Sequence, residues 1–264
     1  MLCIRFPLLT TVFSFVQVIH YFLIMLTKRD EQLCNEEPSR KRCHFFKSFF
    51  MTKVLNEGHS DSSKNGKYDY KNVKRWSKKV PGTYNWLTWH NLMFCYNTHK
   101  VAFAAGKDIF NLDKIFFPIN QGGVHWVCAV IFMQKKRIQF YDSLGGRGRI
   151  YLNALFEYIK DEHQAKKDCP LPNEDEWELV DNSSDTPRQR NGKFEQVERH
   201  LSWFAAHTDT DPSLFPVLGF DCGVFTCMFA DFLSKDCPLV FDQSHITLCR
   251  ERIAVSIMNG QAIM

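Results

Sequence analysis

The ten cysteines of this 264-residue chain contain no CxxC pair, which removes the commonest zinc-ligand spacing. They are also too sparse for a secreted disulfide scaffold, so they read as reduced thiols of the cytosol or nucleus. No metal and no cofactor is expected. Charge of one sign is scarce too: the net +4 does not argue for a nucleic-acid partner, and it suits an acidic protein. No internal repeat is present. Nor is there an uninterrupted apolar span. Residues 1–17 (MLCIRFPLLTTVFSFVQ), followed by Val18–Leu26, look like a leader or anchor, but Arg5, Pro7, Gln17 and His20 break the run. Val18–Leu26 is instead expected to be a buried helix packing through Phe45, Phe46 and Phe49, with residues 1–26 staying out of membranes.

What is present suits a single domain, with or without appendages. Hydrophobic residues make up 45% and 24 of them are Phe, enough to fill a core. HFFKSFFMTKVL (44–55) reads as a core helix, and the charged stretch 28–43 as a surface loop. LDKIFFPIN (112–120) reads as a strand ending at Pro118. VHWVCAVIFM (124–133) is a continuous β-type run, as expected of a central strand buried on both faces. KRIQFY (136–141) alternates and forms its hairpin partner. Ile150–Lys160 is an amphipathic helix, Trp177–Val180 a short strand, and His245–Met258 a closing helix.

Chemistry concentrates around Gly219–Cys227 (GFDCGVFTC). Val224, Phe225, Met228, Phe229 and Phe232 recur at spacings near three and four, so a helix buries one face. Asp221 is a candidate N-cap. Cys222 then lies in the first turn, where free N–H groups and the positive dipole end favour the nucleophilic thiolate. A cysteine picked at random is more often a buried core residue, so the question is whether a base lies elsewhere. His125 follows a Gly pair at the start of the central strand; alone, such a histidine is more often a satisfied core residue. Asp142 ends the partner strand and is equally at home as a turn residue. In an antiparallel pair, however, the end of one strand lies beside the start of the other, which brings Asp142 towards His125.

PINQGGVHW, IQFYDSL, QRNG and FDCGVFTC, in this order, resemble the motifs of the Ulp/sentrin-specific cysteine proteases, which cleave SUMO and related ubiquitin-like proteins. The resemblance runs from about Val18 to Met258. It implies an α+β papain-like fold: a central mixed sheet flanked by helices, with the nucleophile at a helix N-terminus. It further implies Cys222 as nucleophile, His125 as general base, Asp142 as its orienting group and Gln189 as oxyanion donor. Trp126 is implied to flank a narrow tunnel for the substrate's Gly-Gly tail. The implied partner is SUMO or a SUMO conjugate, with no nucleic acid and no membrane. The implied setting is a monomer in the nucleus, nuclear envelope or cytoplasm. Two alternatives stay open: a protease for another ubiquitin-like protein such as NEDD8, and an inactive pseudoprotease that only binds one.

The chain departs from that pattern in three places. Pro216 stands where the family's Gln is expected, six residues before Cys222, and proline has neither side-chain amide nor N–H. Setting aside 193–219 joins QRNG to FDCG and puts Gln189 six residues before Cys222. A second stretch, 83–106, interrupts VKRWSKKVPG and KDIFNLDKIF. Both stretches follow a glycine and are rich in aromatics, as expected of translated introns. Finally, residues 1–17 lack the Trp-Leu-Asn-Asp motif that supplies the tunnel's other wall. The domain is therefore expected over 18–264, interrupted at 83–106 and 193–219. The chain as written is expected to be poorly active.

Overall fold

The computed structural model describes residues 15–77, 108–190 and 221–263. The first 14 residues, the stretches 83–106 and 193–219 and Pro216 lie outside the described residues. Helix α1 (Phe15–Glu36) leads to a two-residue strand β1 (His44–Phe45) and a short helix α2 (Phe49–Val54). Strands β2 (Lys114–Gln121), β3 (His125–Phe132) and β4 (Arg137–Tyr141) follow, then helix α3 (Arg149–Lys167) and strand β5 (Glu178–Val180). Helices α4 (Cys222–Ser234) and α5 (Ile246–Asn259) complete the order.

The five strands form one mixed sheet in sequence order. β2–β3 and β3–β4 are antiparallel hairpins, while β1 and β5 add in parallel at the two edges. Alternation of side chains along the strands divides the core in two. Phe116, Trp126, Cys128 and Val130 face α1, α4 and α5. Phe117, Val127, Ala129, Ile131 and Phe140 face α2 and α3. The sheet is thus sealed between two helical layers, which is the expected α+β arrangement, and β3 is buried on both sides as its unbroken apolar run requires.

Several local expectations change. Pro118 lies inside β2, opposite Cys128, rather than ending it. β1 pairs with Ile115 and Phe116; among the described residues no strand pairs with β2 beside Pro118 on that side, and an edge is where a strand tolerates proline. His44–Phe45 is strand rather than helix because this piece of backbone pairs with β2; the Phe46 N–H also donates to the Phe116 carbonyl (2.9 Å). Residues 28–36 are not loop but the second half of α1. Of the three phenylalanines expected against α1, Phe45 packs in its cluster, whereas Phe46 belongs to the opposite face. Phe49 is largely exposed and meets the His20 ring edge-on at 5.7 Å. His20, which breaks the apolar run, ties α1 to α2: its Nε2 accepts the Ser48 N–H (3.1 Å) and lies 2.8 Å from Ser48 Oγ. Burial, then the nearby Lys47, pushes His20 down to about 4. Among the described residues, no helix is long and apolar enough to cross a membrane.

The charges of α1 are buried for a reason. Arg29, 4% exposed, pairs with the fully buried Asp231 of α4 and donates to Ser234 Oγ (2.8 Å). Arg252 of α5 approaches the other Asp231 oxygen at 3.0 Å. One carboxylate therefore joins the three helices on this side of the sheet. Removing it strands a buried guanidinium, which typically costs about 3–5 kcal/mol. Chemical denaturation of Asp231→Ala is expected to show a loss of that size. A loss below about 1 kcal/mol would mean the pair behaves as a surface bridge.

Candidate active site

β3 begins immediately after a tight turn whose two central residues, Gly122 and Gly123, both have positive φ (59° and 81°). The Val124 N–H closes it on the Gln121 carbonyl (3.2 Å). Nothing lies within 4 Å of a Cβ built on either glycine. Backbone conformation, not space, therefore asks for glycine here. The turn delivers His125 opposite Gln121, at the end of the sheet.

At the same end β4 leaves the sheet after Tyr141, which pairs with Cys128. The next residue, Asp142, is buried, and its Oδ1 lies 2.7 Å from His125 Nε2. That oxygen also accepts the Leu144 N–H (2.8 Å), while Oδ2 accepts the Gly146 N–H (2.8 Å). The turn is built tightly around the carboxylate: a Cβ on Gly146 would come within 2.5 Å of Asp142 Oδ2. Burial on its own would raise the Asp142 carboxyl. The His125 hydrogen bond and the two backbone N–H groups outweigh it and hold the group below the usual carboxylate range.

Cys222 is the first residue of α4 and is buried in the same cluster as Trp126. Asp221 precedes it, but its side chain does not cap the helix. Asp221 instead accepts from Gln243 Nε2 (2.6 Å) and from Arg250 (2.5 Å), so it fastens the start of α4 to the α5 region. Asp142 occupies His125 Nε2, which leaves Nδ1 for the thiol. Both partners stabilise the charged ring. The Asp142 hydrogen bond acts first and the Cys222 sulfur second, and together they push His125 up to about 9 against the desolvation that would lower it. Cysteine, imidazole and carboxylate thus come together as expected.

Gln189 is held beside the same turn. Its N–H donates to the Ser143 carbonyl (2.8 Å), and its side-chain oxygen accepts from Ser143 Oγ (3.3 Å). With the oxygen engaged, the amide's NH₂ is its donating end. Trp126 is 6% exposed and packs against the first turn of α4. Its Cδ1 lies 3.8 Å from a Cβ built on Gly223, and Ile19 Cδ1 lies at 3.3 Å, so a side chain at Gly223 would crowd both. Ser143, Asp181 and Asn182, which surround Asp142, were not singled out from the sequence.

The model of the Ulp1 protease family, C-terminal catalytic domain, matches residues 87–193, a span containing His125, Trp126, Asp142 and Gln189. The chain is 29% identical over 248 residues to the ubiquitin-like-specific protease ESD4 of Arabidopsis thaliana, covering 93% of this chain and 37% of that protein. Against human sentrin-specific protease 2 it is 25% identical over 247 residues, covering 94% and 30% respectively. The chain thus spans only about a third of the length of these relatives. Its fold is shared with the C-terminal Ulp1 protease domain solved in complex with Smt3, the yeast ortholog of SUMO (TM-score 0.54, 22% identity, 93% of this chain and 76% of that one). It is also shared with the Chaetomium thermophilum Ulp1-like SUMO protease catalytic domain (TM-score 0.55, 21% identity, 95% and 72%). The chain thus matches the Ulp1 family's catalytic-domain model over residues 87–193 and aligns with these proteases over more than nine-tenths of its length.

Proposed function

We propose that this domain is a cysteine peptidase that cleaves after the C-terminal Gly-Gly of SUMO, maturing it or releasing it from conjugates. The observation that carries the reading is His125, hydrogen-bonded to Asp142 on one ring nitrogen and set against Cys222 at a helix start. The likeness to the ubiquitin-like-specific and sentrin-specific proteases supports the substrate class.

In this reading His125 takes the Cys222 proton, and the thiolate attacks the carbonyl carbon of the terminal glycine. The developing oxyanion is met by the Gln189 amide and the free N–H groups at the start of α4. His125 then returns the proton to the leaving amine. A water, deprotonated by the same ring, cleaves the thioester and frees the Gly-Gly carboxylate. Trp126 borders the path of the tail, where glycine, lacking Cβ, is the residue a narrow passage admits. Stretches 83–106 and 193–219 are proposed to be translated introns; sequencing the cDNA across codons 1–18, 83–106 and 193–219 tests that. The protein is proposed to act as a monomer in the nucleus or at the nuclear envelope, with the cytoplasm as the alternative. Imaging of the tagged protein and light scattering test these two points.

A SUMO probe ending in an electrophile tests the assignment directly. Burial raises four of the other thiols: Cys128 is pushed up to about 12, and Cys43, Cys227 and Cys249 are raised as well. Mass spectrometry is expected to find the adduct on Cys222 alone, and none after Cys222→Ser. An adduct on Cys227 or Cys249 that survives Cys222→Ser would end the assignment.

A further inference from the structure

The segment after β5 folds back over the turn that carries Asp142. Asn182 spends every directed group of its side chain on that turn. Its Oδ1 accepts the Asp142 N–H (2.9 Å), and its Nδ2 donates to the Gly146 carbonyl (2.8 Å) and the Asp142 carbonyl (3.3 Å). A few residues on, Arg188 reaches the same Asp142 carbonyl (3.4 Å), and Gln189 is bonded to Ser143.

We propose that Asn182 is a positioning residue of this site, its amide clamping both ends of the Asp142–Gly146 turn so that the carboxylate stays on His125. The inference rests on the reading of Cys222, His125 and Asp142 given above. Its logic is geometric. The Asp142 carboxylate is aimed by three donors, and two of them are backbone N–H groups inside the turn, from Leu144 and Gly146. Those N–H groups point inward only while the turn keeps its shape. Nothing else described here bonds Asp142 at both its N–H and its C=O. Asn182 therefore acts on the imidazole through the carboxylate, without touching it.

A purely structural role would look different. Asp181 next door also anchors this loop, accepting the Gly148 N–H (2.8 Å) and the Asn182 backbone N–H (3.2 Å), but among the described residues its side chain makes no bond to Asp142. It supplies the control. The experiment is an NMR titration of the full chain carrying ¹³C-labelled histidine, with the His125 signal assigned by its loss in His125→Ala. The wild-type midpoint is expected near 9. Asn182→Leu keeps size and branching but removes the hydrogen bonds. Its midpoint is expected to fall by about one pH unit or more towards the ordinary histidine value, in protein that circular dichroism shows to be folded. Asp142→Asn should fall at least as far, and Asp181→Ala should stay at the wild-type value. Should Asn182→Leu not fold, Asn182→Ser carries the same test. A wild-type midpoint in the folded Asn182 variant, alongside a lowered one in Asp142→Asn, overturns the clamp alone. If Asp142→Asn also leaves the midpoint unmoved, the His125–Asp142 pairing fails, and the clamp loses its purpose with it.

Discussion

His125→Ala is expected to lower hydrolysis of a SUMO precursor by roughly 10²–10⁴, the usual contribution of a positioned general base. The substitution removes both the acceptor for the Cys222 proton and the cation beside the sulfur. Asp142→Asn is expected to be milder, because the ring remains and only its orientation and charge support weaken. The pH profile separates the two. With Asp142 and the Cys222 sulfur raising it, His125 titrates near 9, so activity should hold through neutrality and fall as pH rises through about 9. Removing the carboxylate lowers that limb towards the ordinary value. Stability follows the same sign. A histidine whose folded-state value is raised contributes stability fully below its unfolded value of about 6.5 and loses it as pH climbs through the folded one. Asp142, held low, contributes stability fully above its unfolded value of about 3.9 and loses it as pH falls through the folded one. Steady-state rates from pH 5 to 10 check the assignment. Activity indifferent to His125→Ala would require another base.

Gln189→Ala is expected to cost about 10²–10³ in kcat with KM little changed, as removal of one oxyanion donor does elsewhere. The structure gives this amide a defined anchor, since both its backbone N–H and its side-chain oxygen meet Ser143. Ser143 follows Asp142 directly, so two neighbouring residues hold the two proposed groups: Asp142 meets His125, and Ser143 meets Gln189. A loss confined to KM would assign Gln189 to substrate binding instead. A loss below about threefold would remove it from the site.

What the sequence could reveal depended on how local the cause was. Cys222, His125 and Asp142 were legible because each sits at an element boundary marked by its own neighbours: the glycine-flanked start of α4, the Gly122–Gly123 turn, and the end of the FYD strand. The long apolar run of β3 likewise announced burial on both faces. Misread features had causes far away in the chain. The second half of α1 carries charges because Asp231, some two hundred residues later, receives Arg29. His44–Phe45 became strand because β2 offered an edge. Asp221 had the right chemistry for a cap, yet Gln243 and Arg250 claimed its carboxylate. Asn182 gave no local sign at all, since its partners lie on a turn brought to it by the pairing of β4 with β5.

Every residue of α4 from Cys222 to Asp231 is buried, between the sheet and the helices α1 and α5. Measured by amide hydrogen exchange, this makes the site two cooperative units of unequal protection. Amides in the body of α4 can reach water only when the domain unfolds as a whole. Those of Leu144 and Gly146 are held by one carboxylate and can exchange through a small local opening. The Cys222 sulfur is carried at the start of a buried helix, and the carboxylate facing His125 is held by a turn expected to open locally.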